Sequence, residues 1–325
     1  MAQFLTPFLN LSASFWLPIQ ASTIAESVDD ALIFITLVSI FFTIAIGLVL
    51  IYFALKYKKK SDNDYTPDIR GSRFWETVWT IAPTILVFII FAVALFPYLK
   101  TQVVDPASYE VNATAKKWMW QFEYSNGKKT LNELYLQVDK PVRMVIASED
   151  VLHSFYVPAF RLKQDAVGGM YTFLNFTPNK TGDYVLYCAE YCGLAHSDMK
   201  GVVHVLSEEE FYAWEKGEKD STKSLTASRG LKDEGKDLYL KNGCNACHSI
   251  DGSPGAGPTW KGLFGKERNF EDGSSTVADE NYIRESIEIP SAKLVKGYQP
   301  VMPAYKGLLS DSDITAIIEY MQTLK

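Results

Sequence analysis

Residues Ala31–Leu55 read ALIFITLVSIFFTIAIGLVLIYFAL, with no charge anywhere in the run. Thr77–Leu99, TVWTIAPTILVFIIFAVALFPYL, is a second run of the same kind. About 20 apolar residues carry a helix across ~30 Å of hydrocarbon, so either run is long enough to span a bilayer. A core helix of a soluble protein is the competing reading, but two such runs in succession exceed what a soluble core uses. Pro83 and Pro97 would end a soluble helix; membrane helices tolerate them more often, and Pro97 lies near the end. The first 30 residues hold no Lys or Arg, whereas the loop between the runs holds Lys56, Lys58, Lys59, Lys60, Arg70 and Arg73. The positive-inside rule puts that loop in the cytoplasm and both chain ends outside. Residues 4–20 are moderately apolar but lack the basic start of a signal peptide, so residues 1–28 are expected as an uncleaved outer-surface segment.

Whole-chain averages conceal this hairpin. The chain has 325 residues, 47% hydrophobic and 22% charged, with formal net charge −6 and mean hydropathy −0.03. An acidic balance argues against a nucleic-acid partner. Aromatic content of 14% excludes disorder, and four cysteines are too few for a disulfide scaffold of this length.

Beyond the hairpin the pattern changes twice. Tyr109–Leu206 carries short alternating runs such as Leu134–Val138, Val142–Ile146 and Gly201–Val205, separated by turn residues at Asn126-Gly127 and Asn179–Gly182. That spacing predicts a β-sandwich or barrel. Ser207 and Glu210 form a capping-box pattern that opens a short helix. Lys216–Gly230 is polar and reads as a linker, spanning ~20 Å on average if flexible. Residues 231–325 return to helical periodicity. The last helix is expected to start at Ser310, with Asp313 three residues on, and to bury Ile314, Ile317, Ile318, Met321 and Leu324.

Two clusters carry chemistry. Cys188-Ala-Glu190-Tyr-Cys192-Gly-Leu-Ala-His196-Ser-Asp-Met199 packs two thiols, an imidazole and a thioether into one short loop, with His153 on another predicted strand. Soft sulfur ligands suit copper. Zinc in a Cys₂His₂ site and a Cys188–Cys192 disulfide are the alternatives; zinc rarely uses Met, and a disulfide leaves the other three residues unexplained. The second cluster, Cys244-Asn-Ala-Cys247-His248, is the C-x-x-C-H signature of covalent haem attachment. Its cysteines would form thioethers on one haem edge, and His248 would supply the proximal imidazole. A thioredoxin-like pair would need a βαβ context that the pattern lacks. Met302 is the best distal ligand, since Met321 faces the core of the last helix; His/Met ligation raises a haem potential. His204, flanked by valines, is left over as a strand residue that ligates nothing.

C-x-E-x-C-x₃-H-x₂-M with the upstream histidine of Ser148–Ser154 resembles the dinuclear CuA site of cytochrome c oxidase subunit II. The likeness covers about residues 29–206. Residues 231–325 resemble a small class I cytochrome c domain, through the haem motif, the Gly257-Pro258 and Gly262–Gly265 loop, and Val301-Met302-Pro303. The resemblance implies a bacterial haem–copper oxidase subunit II with a fused cytochrome c domain, built from a transmembrane hairpin, a cupredoxin-like β-sandwich and an all-α cytochrome domain. The implied boundaries are 1–28, 29–100 with helices at about 31–57 and 74–99, 101–215, the linker 216–230, and 231–325. It also implies ligand roles. Cys188 and Cys192 would bridge two coppers, with His153 and Met199 completing one, and His196 and the Glu190 carbonyl the other. The Glu190 side chain would help hold a magnesium ion shared with subunit I. Pro258 would pack near His248 and orient its ring. Trp118, in Trp118-Met-Trp120-Gln-Phe122-Glu-Tyr124, would be where electrons come in, although that stripe also reads as a core strand face. Glu76, with Trp79, Thr80 and Pro83, would lie at the mouth of a proton pathway into subunit I.

The chain departs from the family pattern at Gly168-Gly169 and Met170, where the family often has Pro-Gly and Arg; this bears on the docking of that loop. The implied function is electron transfer from an external donor through haem c and CuA to subunit I, where oxygen is reduced to water with proton translocation. The implied partners are subunit I, other oxidase subunits, and cytochrome c or another respiratory complex as donor. The implied location is the bacterial inner membrane, with both soluble domains periplasmic. A quinol-oxidising relative would lack the copper ligands, and nitrous oxide reductase would lack the paired-helix anchor. A stand-alone membrane electron carrier is the remaining alternative, to be told apart by purification with or without a many-helix partner. The tether suggests that the haem domain docks near Trp118.

Overall fold

The computed structural model of the chain describes residues 17–61, 68, 70–217 and 231–325. Most of the expected linker, residues 218–230, and residues 1–16 lie outside the described residues. The chain divides into two compact units, Ile24–Val103 and the remainder.

The first unit is a pair of helices, α1 (Ala25–Lys56) and α2 (Arg73–Gln102). The first begins earlier than the apolar run, because Glu26 and Asp30 extend the helix without interrupting it. At ~1.5 Å per residue both exceed the ~30 Å of a bilayer core. Both are long and apolar enough to cross a membrane, and the apolar window of each is unburied. Phe41, Leu48, Phe88 and Phe91 all stand exposed. Hydroxyls in these helices are satisfied internally: Thr36 donates to Leu32 O, Ser39 to Ile35 O, Thr43 to Ser39 O and Thr84 to Thr80 O. That pattern removes the cost of a polar group in lipid.

The second unit starts with a β-sandwich of ten strands. They are β1 (Tyr109–Lys116), β2 (Met119–Tyr124), β3 (Lys129–Leu131), β4 (Glu133–Gln137), β5 (Val142–Ser148), β6 (His153–Val157), β7 (Leu162–Ala166), β8 (Thr172–Phe176), β9 (Gly182–Cys188) and β10 (Lys200–Leu206). One sheet has the order β3-β2-β1-β5-β8, the other β4-β10-β9-β6-β7. Alternation along the strands fills the space between them with Trp120, Phe122, Leu134, Leu136, Met144, Ile146, Phe155 and Leu186, all essentially inaccessible. Trp120 meets Phe155 edge-on at 5.6 Å between ring centroids. The chain before α1 is pinned to this sandwich, with Ala21 N donating to Ala159 O and Ser22 Oγ to Phe160 O. Helix α3 (Glu208–Glu215) closes one end; Ser207 and Glu210 make both capping-box bonds, and Trp214 stacks on Tyr135 at 4.4 Å.

The C-terminal part holds α4 (Leu231–Lys241), a single 3₁₀ turn at Cys244–Ala246, the strands β11 (Glu267–Asn269) and β12 (Ser275–Val277), α5 (Glu280–Glu288) and α6 (Asp311–Thr323). Helices α4 and α6 cross with their backbones in contact: a Cβ at Gly235 would overlap Ala316 O. Ser310 and Asp313 cap α6 reciprocally, and Ile314, Ile317, Ile318 and Met321 are buried. Leu324 is a correction. It lies past the last helical residue, as the C-cap, and packs on the core from there. The β11–β12 hairpin was not expected from helical periodicity; it turns at Asp272-Gly273, where Gly273 has φ +81°.

Candidate metal centre and haem site

The copper candidates come together because two strands and one loop converge. Pairing of β6 with β9 sets Phe155 opposite Cys188, which brings the end of β9 beside His153 at the start of β6. The loop from Ala189 then returns so that Met199 O accepts from Cys188 N at 3.2 Å. The two sulfurs Cys188 Sγ and Cys192 Sγ lie 3.8 Å apart. A disulfide needs about 2.05 Å, and both cysteines are free. His153 Nδ1 faces Met199 Sδ at 3.2 Å and Cys188 Sγ at 3.9 Å. His196 Nδ1 lies 3.4 Å from Cys192 Sγ, and Glu190 O lies 3.2 Å from Cys188 Sγ. His153, Cys188, Cys192 and Met199 are buried, and His196 is half-buried. The metal-binding atoms of His153, Cys188 and Cys192 all lie within 4.8 Å of one another.

These donors fit a copper pair. Two sulfurs, an imidazole and a thioether share a dry pocket, and soft ligands of this kind favour copper. Burial pushes the Cys188 thiol up, but contacts with His153, with the Glu190 and Ser154 backbone and with Cys192 together outweigh it and hold the thiol below its ordinary value. Cys192 is pushed the other way by burial and by Cys188 itself.

Asp150 is the residue that sequence reasoning missed. Its Oδ1 lies 2.8 Å from His153 Nε2, and its carboxylate accepts from Lys117 N and Val151 N. Holding Nε2 aims Nδ1 at the sulfurs, which is how carboxylates orient ligating histidines. The available signal was a carboxylate three residues before a candidate ligand.

The haem motif is built on one tight turn. Gly243 takes φ +70°, and both Cys247 N and His248 N donate to Cys244 O, so Cys244, Cys247 and His248 sit on successive sides of one turn. Burial lowers the His248 pKa, which favours the neutral ring. Its Nδ1 then donates to Pro258 O at 2.7 Å, leaving Nε2 free for iron. Tyr239 OH holds the His248 carbonyl at 2.6 Å. A Cβ at Gly257 would stand 2.6 Å from His248 Cε1, so only glycine admits the ring there.

His248, Met302, Trp260 and Arg268 line a common cavity. Arg268 Nε is buried without a hydrogen-bond partner. A buried guanidinium nitrogen with no acceptor calls for one, best supplied by an anion. A haem, which carries two carboxylates on one edge, supplies that anion, and the residues fit it. Met321 also reaches this cavity, from α6.

Trp118 lies between the two clusters. It is only 8% exposed, and its Nε1 donates to Cys192 O at 3.2 Å. Gly193, at φ +117°, lets the ring approach: a Cβ there would stand 3.2 Å from Trp118 Cζ2. Trp118 also lines a cavity with Cys244, Cys247, His248 and Met302. The aromatic stripe divides accordingly. Trp120, Phe122 and Tyr124 face the sandwich core, while Trp118 precedes the strand. Glu76 is exposed in the first turn of α2. His204 stays in β10, stacked on Tyr135 and held to Asp183 Oδ1 at 2.7 Å.

Comparison with known proteins agrees with this layout. Three family models match: the transmembrane domain of cytochrome c oxidase subunit II over residues 11–98, its periplasmic domain over 129–206, and cytochrome c over 233–325. Cytochrome c oxidase subunit 2 of Alkalihalophilus pseudofirmus is 30% identical, covering 93% of this chain and 88% of the relative. This chain belongs to the cytochrome c oxidase subunit II family. The subunit 2 of Bacillus subtilis is 27% identical over 94% of this chain and 90% of its own length. The solved periplasmic domain of subunit II of cytochrome oxidase of Bradyrhizobium japonicum is 32% identical, covering 34% of this chain and 94% of that one, with a TM-score of 0.33. Subunit II here is thus a membrane-anchored component of a cytochrome c oxidase. It carries the domain that implies CuA copper, followed by a fused domain that implies haem c.

Proposed function

We propose that this subunit receives electrons at haem c, passes them to CuA, and delivers them to subunit I. The observation that carries the reading is the buried convergence of His153, Cys188, Cys192, His196, Met199 and the Glu190 carbonyl. Cys188 and Cys192 would hold the copper through their thiolates, with His153, Met199, His196 and the Glu190 carbonyl as the remaining donors. Cys244 and Cys247 would anchor the haem covalently, and His248 and Met302, which line the same cavity, would supply its iron ligands. When bound, both groups exchange single electrons. The chain's own task is to hold the ligands still: Asp150 fixes His153, Pro258 fixes His248, and burial excludes water from both. Low rearrangement favours fast exchange.

The finer assignments belong to the same reading. The Glu190 side chain helps hold magnesium at the boundary with subunit I. Glu76, in the first turn of α2, marks the mouth of a proton path. The loop rich in Lys and Arg is cytoplasmic and both soluble domains are periplasmic, on the inner membrane of a bacterium. Support for that orientation comes from the chain before α1, which is pinned to the same sandwich that follows α2. The donor is a cytochrome c or another respiratory complex.

Optical and paramagnetic-resonance spectra of the purified complex test the assignment. Haem c, CuA and subunit I haems should appear together. A chain that purifies alone, without a many-helix partner, or a complex lacking the CuA signal, would contradict it. Glu76→Gln should slow proton uptake and leave the CuA spectrum intact; unchanged uptake would remove Glu76 from the pathway.

A further inference from the structure

The sandwich presents an apolar surface that its own core does not use. Met119 and Leu131, on β2 and β3, are 3% and 8% exposed. They belong to one buried cluster with Tyr239, Trp260, Tyr305, Ile314 and Ile317 of the C-terminal domain. Beside them, Asn132 marks where the chain leaves one sheet for the other. It takes φ +55°, a conformation that Asn adopts more readily than most residues. Every polar group of Asn132 is engaged. Its N donates to Trp120 O, its Oδ1 accepts from Trp120 N, and its O accepts from Val202 N. Its Nδ2 donates across to Lys241 O at 3.3 Å. Next to it, Glu133 pairs with Lys241 Nζ at 3.4 Å. Lys241 ends α4, three residues before Cys244. A Cβ at Gly243 would stand 3.0 Å from Asn132 Nδ2, so glycine permits this approach.

We propose that Met119, Leu131, Asn132 and Glu133 form a dedicated docking face for the haem domain of the same chain. In this arrangement Asn132 and Glu133 are positioning residues. They act on the segment that would anchor the haem, and so they set how Cys244 and Cys247 stand against Trp118 and, through Trp118, Cys192. The same contact covers Trp118, so an external donor reaches the haem and not the tryptophan. The step this positioning serves moves one electron from reduced haem c to oxidised CuA, with no proton and no bond change. The inference rests on the electron order proposed above, but the docking can be read without it.

The test uses the complete oxidase with the full-length chain. Leu131→Asp places a carboxylate in the apolar contact. Lys241→Glu sets two carboxylates against each other, and Glu133→Lys with Lys241→Glu restores opposite charges. A zero-length carbodiimide, which joins an amine to a carboxylate as an amide while it takes up the lost oxygen and becomes a urea, should join Lys241 to Glu133 in the parent chain and fail to do so in Leu131→Asp. Equal yields of the joined peptide in both would overturn the docking. After light-driven injection of one electron into haem c, CuA reduction should slow by ~10-fold in Leu131→Asp. It should slow by ~3-fold in Lys241→Glu and recover in the charge-swapped pair, as a partly exposed ion pair allows. Haem c and CuA spectra should not change. Parent-like rates in both single variants would overturn the positioning role. A parent complex without haem c or CuA signals would instead contradict the functional reading and leave the cross-link result standing.

Discussion

The copper loop and the haem motif solve one problem in opposite ways. Three of the candidate haem-binding residues, Cys244, Cys247 and His248, are nearly contiguous, so a single turn at Gly243–His248 builds most of the proposed site, and the proposed second iron ligand, Met302, arrives from a distance. The copper donors come from the start of one strand, the end of another and the loop between β9 and β10, so the site exists only when the sandwich is folded. Local geometry builds the first, and tertiary geometry builds the second. The copper site should therefore depend more on neighbours that touch no metal.

The largest effect is expected where the copper bridge itself is cut. Cys192→Ser should abolish the CuA spectrum while haem c remains covalently attached, read by optical and paramagnetic-resonance spectra; a retained CuA signal would remove Cys192 as a bridge. Asp150→Asn comes next. It keeps the shape but loses the charge that orients His153, and should weaken copper retention by about 10–100-fold in a competition with a chelator. Parent-like retention would make Asp150 a bystander. On the haem side, Met302→Ala should leave the haem attached and lower its potential in a redox titration; an unchanged potential would rule out Met302 as a ligand and turn attention to Met321. The smallest effect is expected at Arg268→Met, which removes a half-buried positive charge lining the haem cavity and should lower that potential by less than Met302→Ala does. A larger fall than that of Met302→Ala would mean that Arg268 shapes the whole cavity.

The same contrast explains what was legible in the sequence. The two apolar runs, the C-x-x-C-H turn, the capping boxes at Ser207 and Ser310, and the dense copper loop are all local patterns; both capping boxes form as read, and the first apolar run lies within a helix that begins six residues earlier, at Ala25. Asp150 was not legible, because its role depends on a turn that brings Oδ1 to His153 Nε2. Nor was the docking face. On a strand with Trp120 and Phe122 pointing inward, Met119 reads as an outward residue, and only the C-terminal domain buries it. The β11–β12 hairpin was hidden in the same way: its strands are three residues each, too short to show a period. Burial in this chain follows its domain contacts as much as its local pattern.

The central claim is that electrons pass through the haem domain before they reach the sandwich. The most direct measurement mixes the oxidised complex rapidly with reduced donor and follows haem c and CuA absorbance separately over a range of donor concentrations. Haem c should be reduced first, at a rate proportional to donor, and CuA should follow at a rate independent of it. CuA reduced in proportion to donor, with haem c lagging behind, would contradict the account.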